Sequence, residues 1–328
     1  MNFQEVRGPY GGTNSFLRTL RNWLAQQDGI QLTHDPRAEY DVALLSGLTD
    51  GVDLALVTQI AARGIPVVHR KVGYRVSGGP EMRRVVDGVV WGDKLQVEFT
   101  PHLTHTIFQS HYSRDVFVNS GFDGPHSVIY NGVDEAVFNT SVRVGWLRRR
   151  TTPRQWWDGR SPLRVLISSW SKDPNKGFDD YAAIDAVVGA RRDVQVSFVG
   201  RVPDGLRFQH IRVHAPRGRD ALARLLKEHH VILQLARFET CSNALIEGIN
   251  CGLPAIFLDS GSNAEIAANY GVRYDGEWDA ALAAIQSGVA ALLTSRDNFS
   301  QHGAVDTADL KSADQQVNEV LNQLRGSR

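Results

Sequence analysis

The chain has 328 residues, 42% of them hydrophobic and 22% charged, and its 36 Lys and Arg balance 36 Asp and Glu. That length suffices for two domains with sizeable cores, and the composition is that of an ordinary α/β protein; a neutral balance excludes a general attraction to nucleic acid or acidic polymers. No apolar run approaches the roughly 18 residues of a membrane helix, and the amino-terminal Met-Asn-Phe-Gln-Glu-Val-Arg lacks the pattern of a signal peptide. The two cysteines, Cys241 and Cys251, are too few for a disulfide framework and read as small buried residues. A cytoplasmic protein is expected.

Residues 2–6 read as a short strand, followed by the glycine-rich Arg7-Gly-Pro-Tyr-Gly-Gly-Thr13. Residues 13–27 predict a helix with Phe16, Leu17, Leu20, Trp23 and Leu24 on one face. Apolar runs at 42–45, 65–68, 106–108 and 127–130 predict strands, with helical stretches such as 54–62 between them. Residues 140–162 mix Arg148, Arg149, Arg150 and Arg154 with Trp146, Trp156 and Trp157. Such a segment could touch an anionic membrane surface. It could equally be a solvated linker whose tryptophans pack on a domain, and the lack of an amphipathic period favours the linker.

Beyond it, strands are expected at 163–168, 194–199, 231–235 and 255–258. Helices are expected at 178–188, 220–228 and 278–293, with a last helix over 308–324. Strands alternating with helices in two similar halves predict an α/β fold with parallel sheets. The domains expected are 1–140, a linker at 141–162, a second domain at 163–306, and a closing helix at 307–328.

Among the histidines, His102, His105 and His111 lie close in sequence, but no cysteine is near and the spacing does not suit zinc. No metal site is expected. His69 follows the 65–68 run, and the carboxyl ends of strands in open sheets face ligands. It is therefore a candidate site residue, although a histidine at a strand end is often structural.

Residues 238–265 hold the densest signal. The 231–235 run is long enough for a buried strand. Ser242 or Asn243 can cap a helix by offering an oxygen to free backbone amides. That helix runs to about Asn250, stops near Gly252-Leu-Pro254, and hands over to the next strand. Glu239 thus sits on the loop at a strand's carboxyl end, and Glu247 a turn or so into the helix. The helix start offers unpaired amides and a positive dipole end, a natural seat for phosphate. A carboxylate on either side suits hydroxyl groups, one set on a ribose and one on a sugar. The same spacing also fits two glutamates beside an ordinary βαβ unit.

The residues themselves go further than the spacing. Glu239, seven residues, Glu247, then Gly252-Leu253-Pro254 and Ser260-Gly261-Ser262-Asn263-Ala264-Glu265 resemble the donor-binding signature of glycosyltransferase family 4. The turn carries Ser262 where a second glycine is usual. Arg7-Gly-Pro-Tyr-Gly-Gly-Thr13 is similar to that family's amino-terminal glycine loop. Tyr130-Asn-Gly-Val-Asp134, with Phe138, is similar to the element closing its first domain. Ser171-Lys-Asp-Pro-Asn-Lys176-Gly177 resembles its diphosphate-gripping loop, with Trp170, Ser171 and Lys172 where many members have an arginine.

The resemblance covers nearly the whole chain. It implies the GT-B fold: two Rossmann-like domains with parallel sheets facing across a cleft, and a last helix crossing back to the first domain. It also implies a retaining transfer of sugar from a nucleotide-diphosphate sugar to a hydroxyl acceptor, with no metal and no other cofactor. On that basis Lys176, and with it Lys172, neutralises the diphosphate. Backbone amides of Gly11 and Gly12 and of the helix start at Ser242 and Asn243 assist. Glu247 holds the ribose, Glu239 the transferred sugar, and His69 is a candidate contact to that sugar.

The expected partners are the donor and a sugar, lipid-linked or small-molecule acceptor, with no nucleic acid; peripheral contact at the inner membrane face is compatible with a lipid-linked acceptor. A sugar-nucleotide epimerase on the same fold, or a donor-binding subunit without chemistry, stays open, the latter because of the absent arginine. A nicotinamide dehydrogenase is disfavoured, since Gly8-Pro-Tyr-Gly-Gly is not the dinucleotide fingerprint.

Overall fold

A computed structural model describes residues 12–47, 51–71, 85–86, 89–90, 98–119, 121–144, 150–153, 157–294 and 313–325. The strand expected at 2–6, Gly11, and the basic-aromatic residues Trp146, Arg148, Arg149, Arg154 and Trp156 lie outside them. The chain forms two compact units, the first containing Gly12–Gly132 and Ser312–Arg328, the second Val133–Lys311. The division falls within the Asn131-Gly-Val-Asp134 stretch.

In the first unit, α1 (Gly12–Leu24) buries Phe16, Leu17, Leu20 and Leu24, all 4% exposed or less. Their helical spacing makes one apolar stripe. That stripe packs with Val317 of the closing helix, Ala313–Arg325, so both ends of the first unit share one core. There follow β1 (Ala43–Ser46), α2 (Gly51–Ala62), β2 (Val67–Arg70), the short antiparallel pair β3 (Val85–Val86) and β4 (Val89–Val90), β5 (His105–Phe108), α3 (His111–Asn119) and β6 (His126–Val128). Strands β1, β2, β5 and β6 form a parallel sheet in that order. Every residue of β1 and β2 is buried, which accounts for the apolar Ala43–Leu45 and Val67–Val68, while β2 continues through buried His69 and Arg70.

The second unit opens with an antiparallel pair, β7 (Ser141–Val144) and β8 (Arg150–Pro153), joined in register from Ser141↔Pro153 to Val144↔Arg150. The segment expected to be a linker therefore carries a hairpin. Trp157 packs on the second unit's core, and its indole N–H donates to the Ser161 carbonyl at 2.5 Å.

The rest is β9 (Leu163–Ser169), α4 (Phe178–Val188), β10 (Val194–Gly200), β11 (Arg212–His214), α5 (Arg219–Glu228), β12 (Val231–Gln234), α6 (Asn243–Asn250), β13 (Ala255–Leu258), α7 (Asn263–Ala267), β14 (Gly271–Tyr274) and α8 (Trp278–Thr294). The six strands from β9 to β14 form one parallel sheet in the order β11-β10-β9-β12-β13-β14. Counted along the unit, that is 3-2-1-4-5-6, the doubly wound order of dinucleotide-binding folds. One face of the sheet packs Leu163, Val165, Ile167, Phe198 and Leu233 against Phe178, Tyr181 and Ile184 of α4 and Trp278, Leu282 and Ile285 of α8.

Asp185 of α4 accepts backbone N–H bonds from Gln209, His210 and Ile211 at 2.7, 2.8 and 2.6 Å, fastening the approach to β11. Both cysteines are buried. No helix among the described residues is long and apolar enough to cross a membrane.

Candidate functional site

The reversal of strand order in the second unit falls between β9 and β12. There the connections leave in opposite directions and open a crevice at the strands' carboxyl ends, where doubly wound sheets bind ligands. Two loops border that crevice, one after β9 and one after β12.

The first runs from Trp170 to Gly177. The Ser171 hydroxyl accepts the Asp173 amide at 3.1 Å, and the Asp173 carboxylate accepts the Asn175 amide at 2.9 Å, capping a single turn of 3₁₀ helix, Pro174–Lys176. Pro174 fits that turn because its fixed φ suits a first helical position. Gly177 then swings to φ 82°, and a Cβ there would lie 2.5 Å from the Leu235 carbonyl oxygen. Only glycine accepts both the left-handed backbone and that close approach. Lys176 thus ends the one-turn helix, and Gly177 alone separates it from α4.

The second loop, from Leu235 to Ser242, is fastened residue by residue. The Leu235 amide donates to the Tyr181 hydroxyl at 3.0 Å, and the Ala236 amide to the Gln234 side chain at 3.2 Å. Burial, partly offset by that amide, pushes the Tyr181 hydroxyl well above its ordinary range, so it stays protonated. The Arg237 amide donates to the Asn175 carbonyl at 2.7 Å, joining the two loops. The Arg237 guanidinium lies 2.7 Å from the Asp180 carboxylate. Phe238 holds φ 57°, rare for a residue with a bulky side chain, and its amide donates to the Ser260 hydroxyl at 3.0 Å. The Glu239 carbonyl accepts the Ser262 amide at 2.8 Å. Gly261, at φ 63°, passes so close that a Cβ would stand 2.5 Å from the Glu239 amide nitrogen.

These constraints bring Lys176 and Glu239 into an ion pair, with side chains 28% and 16% exposed. Residues 63 positions apart in sequence thus meet at the switch point. Ser242 caps α6: its hydroxyl accepts from the Leu245 amide at 3.4 Å and from the Gln234 side-chain amide at 2.7 Å, and it is 3% exposed. Its hydroxyl is thus committed to the loop, and Asn243 follows as the first helical residue. Glu247 lies in α6 with part of its surface exposed. The protein packed around it pushes its carboxyl up to about 8, a rise that the nearby Arg219 charge opposes. Arg219, at the start of α5, pairs with Asp134. Lys172 pairs with Asp204 at 2.7 Å, in an exposed position.

In the first unit, Gly12 is the first residue of α1. His69 lies within β2 rather than after it, with Thr106 and Leu45 as its strand partners, and is 1% exposed. Burial, together with the Lys71 and Arg70 charges, pushes its imidazole well below its ordinary value, and its Nε2 has no hydrogen-bond partner. The His69 imidazole is thus neutral and enclosed. His102, His105 and His111 do not converge, and no group of three or more potential metal ligands occurs among the described residues.

Sequence reasoning passed over Asp180, Tyr181, Gln234, Arg237 and Arg219. None belongs to a motif, and Asp180, Tyr181, Arg237 and Arg219 act on partners distant in the chain.

No protein-family model and no curated protein matches the sequence. Solved structures do match in shape. Sucrose-phosphate synthase from Thermosynechococcus elongatus superimposes with a TM-score of 0.64 at 14% identity, covering 95% of this chain and 78% of that one. The chain has the GT-B fold. AviGT4, a glycosyltransferase involved in avilamycin A biosynthesis, gives a TM-score of 0.55 at 15% identity, covering 97% and 91%. The pneumococcal O-GlcNAc transferase GtfA, solved with UDP and GlcNAc, gives 0.53 at 13% identity, covering 97% of this chain and 60% of GtfA.

Proposed function

We propose that this GT-B protein is a retaining glycosyltransferase of the family 4 type, moving a sugar from a nucleotide-diphosphate sugar to a hydroxyl acceptor. The observation that carries the reading is the Lys176–Glu239 ion pair at the switch point of the second sheet, one helix start away from Glu247. Similarly folded proteins include AviGT4, a named glycosyltransferase, and GtfA, bound to UDP and GlcNAc.

Glu247 takes the ribose hydroxyls and Glu239 those of the transferred sugar. Lys176 leaves Glu239 for the diphosphate and neutralises it as it departs. Stabilising charge where it develops is usually the largest catalytic contribution, and the start of α6 adds its dipole. The bond from the anomeric carbon to the phosphate oxygen breaks, and the acceptor oxygen bonds to that carbon on the same face. The acceptor's proton passes to the departing phosphate oxygen, so no protein nucleophile is needed, unlike the paired carboxylates of glycosidases. With lysine and helix dipole supplying the positive charge, the reaction requires no metal.

The test is a thermal-shift screen of the purified protein against UDP, GDP, dTDP, ADP and their sugar conjugates, since a ligand of the folded state raises its melting temperature. A shift with one nucleotide family that is lost in Glu247→Ala supports the reading. The absence of any shift overturns it.

A further inference from the structure

We infer that Arg201, seated on the Trp170 ring, is a further cation of the donor site and binds the diphosphate beside Lys176. The inference rests on the transferase reading above.

Placement comes first. Strands β9 and β10 run parallel and in register to their last residues, with Gly200 opposite Ser169. The chain therefore leaves both strands side by side at the edge that carries Lys176 and Glu239. The Arg201 amide donates to the Ser169 carbonyl at 3.1 Å, so the loop after β10 begins against the loop that holds Lys176.

The seat comes second. The Arg201 guanidinium carbon lies 3.9 Å from the centre of the Trp170 ring. A guanidinium held by its flat face keeps its N–H donors directed outward around the rim, and those donors match phosphate oxygens in pairs. Arg201 is exposed, so the rim reaches solvent.

Charge decides the matter. Lys176 is neutralised by Glu239, Lys172 by Asp204 and Arg237 by Asp180. Arg201 has no carboxylate partner among the described residues. A nucleoside diphosphate carries more than one negative charge, which a lysine shared with Glu239 does not balance alone. Arg201 supplies uncommitted charge at that edge, fixed by an aromatic seat rather than an acid that would compete with the ligand.

The experiment is calorimetric titration of the full chain with UDP, GDP, dTDP and ADP, and then with the monophosphate of whichever binds. Wild type is compared with Arg201→Ala, Arg201→Lys and Lys176→Ala. Arg201→Ala is expected to weaken the diphosphate about tenfold or more, to weaken the monophosphate far less, and to leave the unliganded melting temperature unchanged. Arg201→Lys recovers part of the loss. The salt dependence of diphosphate binding becomes shallower in Arg201→Ala, as expected when one charge contact is removed.

If Arg201→Ala binds the diphosphate as wild type does while Lys176→Ala is weakened, the Arg201 inference is overturned and the functional reading stands. If Arg201→Ala melts earlier and weakens monophosphate and diphosphate alike, Arg201 is only a clamp for the Trp170 loop and the inference is again overturned. If wild type binds no nucleotide, both fall together.

Discussion

Glu247 makes stability depend on pH in the direction opposite to ordinary acid lability. Its carboxyl is raised from 4.5 to about 8 by burial, with Arg219 opposing the rise. The unfolded chain gives up this proton at a lower pH than the folded one. The contribution to stability is therefore intact below about pH 4.5 and is lost as pH rises through about 8. Taken at face value, the raised value costs roughly 4 to 5 kcal/mol once both states are ionised. Solvent reaching the part-exposed side chain lowers this to about 2 kcal/mol.

Glu247→Gln keeps the shape and removes the ionisation. The expected result is a variant that matches wild type near pH 5 and gains on it progressively up to pH 9, by several degrees in melting temperature. The assay is a series of melts from pH 5 to pH 9 on both proteins. Parallel curves would refute the reasoning. The same carboxyl links to the proposed ligand: ribose hydroxyls donate to the ionised form, so nucleotide binding at neutral pH should release a proton. Titration in buffers of differing ionisation enthalpy reads that release directly, and its absence would remove the ribose assignment.

Three further expectations rest on single residues. Lys176→Ala and Glu239→Ala should each cut turnover by about two orders of magnitude or more while the protein remains folded by circular dichroism; near-wild-type rates in either would remove the site. Gly261→Ala must place a Cβ 2.5 Å from the Glu239 amide nitrogen at φ 63°. It should cost about 1–3 kcal/mol in urea unfolding and lower turnover through Glu239, and unchanged values for both would show that the loop yields freely. Asp185→Ala leaves the amides of Gln209, His210 and Ile211 without their acceptor, a loss of about 3 kcal/mol read by urea denaturation. Burial raises the Asp185 carboxyl and the three amides lower it further, to a net decrease. The wild-type advantage should therefore hold above the ordinary carboxyl value and fade as pH falls below it. An advantage independent of pH between 6 and about 3 would contradict that account.

The interior strands were legible from the sequence because they are buried on both faces. Every residue of β12 is buried, and β9 and β13 nearly so, so each is a continuous apolar run. Strand β11 carries Arg212 and His214 on the sheet's edge and has no buried residue, which removes the signal. Strand β14, at the other edge, buries only Tyr274. The hairpin within 141–162 was hidden by its arginines and threonines. At the site, Glu239 and Glu247 stood out in one motif and Lys176 in another, but the contact between Lys176 and Glu239 did not. It follows from the strand order, which places β9 beside β12, and from the Arg237 amide reaching the Asn175 carbonyl. His69 was placed after its strand because the apolar run ends at Val68, whereas β2 continues through buried His69 and Arg70.

Left-handed backbone gathers around the proposed reactive pair. Gly177 at φ 82° follows Lys176, Phe238 at φ 57° precedes Glu239, and Gly261 at φ 63° lies against the Glu239 backbone. A bulky residue held in that region costs about 1–3 kcal/mol and persists only where its surroundings over-determine it. Here they do. The Ser260 hydroxyl holds the Phe238 amide, the Ser262 amide holds the Glu239 carbonyl, and Tyr181 and Asn175 hold the amides of Leu235 and Arg237. The Glu239 backbone is thus fixed independently of its ion pair. On the proposed reading, a diphosphate draws Lys176 away with only the lysine side chain moving, while Glu239 stays in place for the sugar. Phe238→Gly separates the two possibilities. Glycine relieves the strained φ, so the backbone contribution should raise stability slightly, but it frees the segment that aims Glu239. Turnover should fall while nucleotide affinity, set by Glu247 and the cations, stays near wild type. Turnover equal to or above wild type would show that the ion pair, rather than the strained backbone, positions the glutamate.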